Sequence, residues 1–153
     1  MRLNLGCCDR HEVGFVNVDL YPPADLIHDL STPWPWPDAS VAEIRAYDCI
    51  EHLPDRIQTM NEAWRVLEPG GIFDIRVPDA LGPGGMQDPT HVSFWTLNSF
   101  RYYLAGDPHR ERFGKHYGIE ARFKAIHIER RWWKPNDGWD DVPIIDAKLS
   151  AVK

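Results

Sequence analysis

A chain of 153 residues with a formal charge of −6, from 17 basic and 23 acidic side chains, has the length of a single domain, residues 1–153, and no room for a second. Leu, Ile, Val and Phe make up about a quarter of it, above the roughly one-fifth below which chains tend to stay disordered, so a packed core is expected. The acidic balance offers no broad field to phosphate backbones and makes nucleic acid an unlikely partner. No segment approaches the roughly 18 apolar residues of a membrane span, and the first ten residues lack a signal-type apolar stretch, so a cytoplasmic protein without membrane contact is expected.

In chain order, Arg2 to Leu5 is a short apolar-rich strand that stops at Gly6. Phe15-Val16-Asn17-Val18-Asp19 alternates and is β-branched, and Asp25 to His28 is a third short run. Pro33-Trp34-Pro35-Trp36-Pro37 excludes both helix interior and central strand, and a fourth strand is predicted over Ile44 to Ile50. Asp55 to Leu67 carries Ile57, Met60, Ala63, Trp64 and Leu67 on one helical face, ended by Pro69-Gly70-Gly71. A fifth strand, Ile72 to Val77, leads into a Gly-rich loop (Leu81 to Gln87) and a second predicted helix, Thr96 to Leu104. Two β-rich stretches follow, about Phe123 to Trp133 and Val142 to Val152, and the Asn136-Asp137-Gly138 turn between them predicts a hairpin.

Alternating elements followed by an antiparallel pair predict an α/β fold: an open, mostly parallel sheet with a C-terminal antiparallel hairpin. Ligands of such sheets lie beyond the carboxyl ends of the strands. That places Gly6-Cys7, Asp19-Leu20, Asp29-Leu30 and the segment Tyr47 to His52 at the candidate site. A Gly after the first strand lets backbone approach a ligand, and an acidic residue after the second can accept both hydroxyls of a ribose. The G-x-G-x-x-G run of nicotinamide enzymes is missing, and Asp19 follows Gly6 too closely for that fingerprint.

Five segments in order resemble the S-adenosylmethionine-dependent methyltransferases of the Rossmann-like class, in particular the small bacterial and phage-like members of the methyltransferase type 11 kind. They are Leu3-Asn4-Leu5-Gly6-Cys7, Phe15 to Asp19, Asp29-Leu30, Ile50-Glu51-His52-Leu53-Pro54-Asp55, and Glu62-Ala63-Trp64-Arg65-Val66-Leu67-Glu68-Pro69-Gly70-Gly71. The resemblance implies S-adenosylmethionine as cofactor. Gly6 and Cys7 would present backbone to its methionine end, with Asn4 the nearest polar residue. Asp19 and Leu20 would lie at the ribose, Asp29 and Leu30 at the adenine, and Tyr47, Asp48 and His52 near the sulfonium, a cation that favours electronegative and aromatic surroundings.

Methyl transfer is a direct displacement that depends on positioning, with a base when the acceptor carries a proton. His91 and Asp88, in the loop after the fifth strand, are the candidate catalytic pair for a small-molecule or sugar acceptor. The alternative is a catalytically inactive domain of the same fold that acts through a protein partner.

The chain departs from its relatives in three places. Cys8 stands where many have Gly, the carboxylate often found before the first Gly is absent, and the connections Cys7 to Gly14 and Leu20 to Ala24 are too short for the usual crossover helices. One sheet face is therefore expected to lack cover, to be met by the Trp34 and Trp36 segment or by a homodimer. Cys7, Cys8 and Cys49 suit neither a disulfide framework nor a zinc site and are expected as reduced thiols, with no metal. Arg130-Arg131-Trp132-Trp133-Lys134 fits an edge strand defended by charge.

Overall fold

A computed structural model describes residues 1–134, 138 and 140–153. Seven strands form one sheet: β1 (Arg2–Leu5), β2 (Val16–Asp19), β3 (Leu26–Ile27), β4 (Val41–Tyr47), β5 (Leu67–Pro78), β6 (Phe123–Trp133) and β7 (Val142–Ala151), in the order β3-β2-β1-β4-β5-β7-β6. The first five are parallel, and β7 runs antiparallel to both β5 and β6. The open, mostly parallel sheet and the terminal antiparallel pair are as expected. Asn136 and Asp137 of the connecting turn lie outside the described residues.

The strand order reverses direction at β1, which leaves a crevice between the loops after β1 and β4. No helix joins β1 to β2 or β2 to β3. The helix α1 (Arg56–Val66) lies between β4 and β5 and begins at Asp55, whose carboxylate accepts hydrogen bonds from the Ile57 and Gln58 amides at 2.9 Å each. Its Met60, Ala63 and Val66 are fully buried against Leu3, Leu5, Ile44, Phe73 and Ile75.

The Trp-Pro segment packs on that same face. Trp34 and Trp36 join the core beside α1, and Arg65 holds the segment there. Its guanidinium donates to the Trp34 and Trp36 carbonyls at 3.0 and 2.9 Å, to Asp38 at 2.7 Å, and to Glu62, which in turn accepts from the Trp34 amide. An extended strap thus stands in for a crossover helix.

The opposite face is bare, but it is polar, which corrects the expectation that an apolar face awaits a lid or a second copy. Strand alternation sends Asn4, Asn17, Glu43, Arg45, Tyr47, Asp74, Arg76 and Lys148 to this side, while Leu3, Leu5, Val18, Ile44, Ala46, Phe73, Ile75 and Leu149 face the core. Ion pairs lace it: Arg45 to Glu12 (2.7 Å), Lys148 to Asp74 (3.3 Å), and Arg76 to Asp146 (3.1 Å), which also pairs with Arg131. The Arg2 and Arg45 guanidiniums cover the Phe15 ring at 4.6 and 4.9 Å. A face of this kind stays hydrated without cover.

Several elements differ from expectation, among them β5, which begins at Leu67 rather than Ile72. The fourth strand starts at Val41 and ends at Tyr47, because Asp48 adopts a left-handed φ of +53° and Ile50–His52 turns as 3₁₀ helix. Leu97–Tyr103 is 3₁₀ rather than α: its apolar residues Leu97, Phe100 and Tyr103 repeat every three positions, the period that aligns them on a three-residue turn. Pro83–Gln87 forms a short α2 in the Gly-rich loop. Polar Pro108–Tyr117 forms a further helix, α3, between an Asp107 cap and Gly118 at φ +73°.

The Arg65 clamp predicts that Arg65→Ala loses about 2 kcal/mol in urea denaturation and shifts tryptophan emission toward the red, since Glu62 and two carbonyls lose a charged donor. Exposed Arg112→Ala should stay within about 0.5 kcal/mol of wild type.

Candidate active site

Three loops meet at the carboxyl ends of β1, β2 and β4. Gly6 has φ +63°, and a Cβ on it would fall 2.7 Å from both Cβ and Sγ of Cys49 in the loop after β4. Only a hydrogen at this position lets the two loops touch. Cys7 is buried, its amide donating to the Val18 carbonyl at 3.1 Å, and burial raises its thiol pKa. Cys8 is exposed at φ +46°, a conformation that costs a non-glycine residue roughly 1–2 kcal/mol. The side chain in the Gly position is thus tolerated by strain.

Asp19 fastens this turn to the end of β2. One carboxylate oxygen accepts from the Cys8 amide at 2.8 Å, the other from the Tyr21 amide at 3.1 Å. Arg10, farther along the same loop, pairs with Asp48 at 3.0 Å. Gly6, Cys7, Asp19 and Asp48 are therefore one constellation, with Leu20 exposed at its rim.

Other expected cofactor positions make structural contacts of their own. Asn4 is buried between β1 and β2, its amide group donating to the Arg10 carbonyl (2.8 Å) and to Asn17 (2.9 Å). Asn17 continues to Asp25 at 2.8 Å. This network stitches together strands that lack a crossover helix, and it occupies the Asn4 side chain beneath the crevice. Tyr47 follows core-facing Ala46, so alternation turns it to the bare face, where Arg45 and Arg76 flank its ring at 5.3 and 4.6 Å. Leu30 is buried, and its carbonyl accepts from the Trp34 indole at 3.1 Å. Asp29 is exposed and caps the turn through Ser31, whose hydroxyl and amide hold its carboxyl below the usual range.

His52, Asp88 and His91 come together on the other side of the crevice. They line a pocket of about 190 Å³ with Asp48, Glu51, Gln87 and Trp133. The His52 and His91 rings meet edge to face at 4.9 Å. His52 Nδ1 lies 3.2 Å from the Thr90 carbonyl, and His91 Nδ1 lies 3.2 Å from the Gly85 carbonyl, with its Nε2 3.9 Å from Asp88. Thr90 holds the Asp88 carboxyl below its ordinary pKa through its hydroxyl at 2.6 Å and its amide at 2.8 Å. Asp79, a further polar residue after β5, is fully buried and bonded to the Leu81 amide and to Arg130.

Glu51, to which the sequence pattern assigns no role, also lines this pocket. Its side chain is buried, and desolvation pushes its pKa up to about 8. A carboxyl beside a histidine in a loop after a strand was the available signal. A cleft of about 660 Å³ between the start of α1 and the Tyr102, Tyr103 and Tyr117 rings was also not anticipated; it shares no lining residue with the pocket of His52 and His91.

Comparison with known proteins bears on the fold. A family described as "Methyltransferase domain" matches residues 14–75, which run from β2 through α1 into β5. A probable S-adenosylmethionine-dependent methyltransferase of Mycolicibacterium smegmatis is 41% identical over 61 residues; the aligned segment covers 40% of this chain and 24% of that protein, so the likeness spans about a quarter of the relative. A putative methyltransferase of Bacillus halodurans superposes over 99% of this chain and 92% of its own with a TM-score of 0.68 at 13% identity. The 1,6-didemethyltoxoflavin-N1-methyltransferase of Burkholderia thailandensis, solved with 1,6-didemethyltoxoflavin and S-adenosylhomocysteine bound, gives 0.61 at 13% identity, over 99% of this chain and 71% of its own. The fold is that of the Rossmann-like methyltransferases. Within that class, the sequence likeness to the methyltransferase-domain family is confined to residues 14–75. Among the described residues no helix is long and apolar enough to cross a membrane.

The turn makes opposite demands of two neighbouring residues. Gly6→Ala should lose about 2 kcal/mol or more in chemical denaturation, from positive φ and the Cys49 contact together. Cys8→Gly should gain about 0.5 kcal/mol, the relieved strain exceeding the extra chain entropy of glycine.

Proposed function

We propose that this chain binds S-adenosylmethionine in the crevice formed by Gly6–Cys8, Asp19 and Asp48, and transfers its methyl group to a small-molecule acceptor in the pocket lined by Asp88 and His91. The observation that carries the reading is Asp19. At the carboxyl end of β2, its carboxylate is fixed by the amides of the β1 and β2 loops. Each oxygen keeps a lone pair for a ribose hydroxyl, and the positive-φ turn exposes backbone beside it. Ordered strand order and the sequence match support the same reading.

The chemistry asks little of the protein beyond position. The acceptor must stand in line with the S–CH₃ bond, and its proton must leave. Asp48 and ionised Asp88 bring negative charge toward the sulfonium, and His91 and His52 offer nitrogens at the acceptor end. The pocket of about 190 Å³ favours a compact acceptor. The domain is read as the single unit 1–153, acting without nucleic acid or membrane.

Calorimetric titration tests the cofactor. S-adenosylmethionine and S-adenosylhomocysteine should both saturate the wild type, and Asp19→Ala should weaken each at least tenfold, about 1.4 kcal/mol or more. Silence from folded wild type would instead favour an inactive domain working through a protein partner.

A further inference from the structure

Glu51, His52 and His91 converge: one carboxylate oxygen and one nitrogen of each ring lie within 4.8 Å of one another. From this geometry we infer a binding site for a divalent transition ion of the zinc class, held by two imidazoles and one carboxylate. It deepens the methyltransferase reading at the acceptor pocket, and its metal half stands independently of that reading.

The first support is Glu51 itself. The residue is 2% exposed, and neither carboxylate oxygen has a hydrogen-bond partner among the described residues. A buried carboxyl without partners is costly in either protonation state, so a native structure that keeps one is expected to supply a ligand. Its neighbours on the pocket wall are the two histidines, with no arginine or lysine among the lining residues.

The second support is how the rings are held. In both histidines Nδ1 faces a backbone carbonyl, of Thr90 for His52 and of Gly85 for His91; the Thr90 hydroxyl, which donates to Asp88, also lies 3.0 Å from His52 Nδ1 as an acceptor. That contact places the N–H on Nδ1 and leaves the lone pair on Nε2, the tautomer and outer hydrogen bond that metal-bound histidines use. Asp88 stands 3.9 Å from His91 Nε2 and adds negative charge.

The third support is rigidity. The segment carrying His91 is tied to the turn carrying Glu51 and His52 by Val92 and Ser93 amides donating to the Glu51 carbonyl (3.0 and 2.9 Å) and by the Ser93 hydroxyl donating to the Ile50 carbonyl (2.9 Å). The Trp95 indole in turn donates to that hydroxyl at 3.2 Å. Two histidines and a glutamate with one position open is the donor set of catalytic zinc, with bonds of about 2.0–2.2 Å reached by small side-chain rotations. Sequence alone does not announce this site, since Glu51 and His91 are brought together by the fold.

An ion here would take an oxygen of the acceptor as its fourth ligand. A bound hydroxyl is acidified: its proton leaves to water, and its oxygen forms the new bond to carbon as the S–CH₃ bond breaks and the thioether departs. The acceptor class this favours is a hydroxyl compound.

The test is titration of tag-free, chelator-stripped protein with Zn²⁺ in competition with a chromophoric chelator, and with Co²⁺ followed by its visible absorption. One ion per chain should bind saturably and raise the thermal midpoint. Glu51→Gln and His91→Gln should each weaken binding at least tenfold and abolish that rise, while the Cys7→Ser, Cys8→Ser double variant should bind as wild type. No stoichiometric binding, binding unchanged in both site variants, or binding lost with the thiols would overturn the proposal. Should one variant fail to fold, His52→Gln gives the same readout. Because the titration uses no cofactor, a bound metal with no S-adenosylmethionine affinity would sink only the methyltransferase reading, and the reverse result only the metal.

Discussion

A parallel sheet whose first crossovers hold no helix must survive with one face in water, and the rest of this structure follows from how it does so. Alternation along each strand solves the problem: apolar residues on one side build a single core with α1 and the tryptophan strap, and charged residues on the other pair across strands. Each exposed pair contributes little by itself. Collectively they keep the bare face hydrated. The Asn4–Asn17–Asp25 network then does locally what a helix would have done, holding β1, β2 and the loops that follow them in register.

That economy shapes the site. With short connections, the turn after β1 is fixed by contact rather than by a helix N-terminus: Gly6 against Cys49, Cys8 held by Asp19, Arg10 held by Asp48. The positive φ of Cys8 shows the strain the loop carries to make these contacts. At the pocket of His52 and His91 the same logic recurs, with the 90–95 segment hydrogen-bonded to the turn at Glu51 so that groups distant in sequence become neighbours.

Much of this was legible in the residues. Short β-branched runs closed by Gly or Asp marked β1 to β3, and the apolar spacing from Ile57 to Leu67 with the Pro69-Gly70-Gly71 stop marked α1. What failed did so for identifiable reasons. α3 carries a proper Asp107-Pro108 start and Gly118 stop, but its polar, charged sequence shows no apolar stripe to raise it above a loop. Tyr47 was assigned to the crevice because it sits at a strand end, yet parity with Ala46 sends it to the other face. The gap left by missing helices suggested an exposed apolar surface, although Glu43, Arg45, Asp74 and Arg76 already alternated with the core residues. Glu51 and His91, forty positions apart, meet only through tertiary hydrogen bonds that no local pattern encodes.

The account stands on the cofactor lying in the crevice beyond β1, β2 and β4, and amide chemical-shift mapping with S-adenosylhomocysteine tests that most directly. It predicts that the largest perturbations fall on the amides of Gly6–Cys8, Asp19–Tyr21 and Asp48–His52, with the tyrosine-lined cleft beside α1 unmoved. Perturbations centred on Tyr102, Tyr103 and Tyr117, with the Gly6 turn silent, would contradict it.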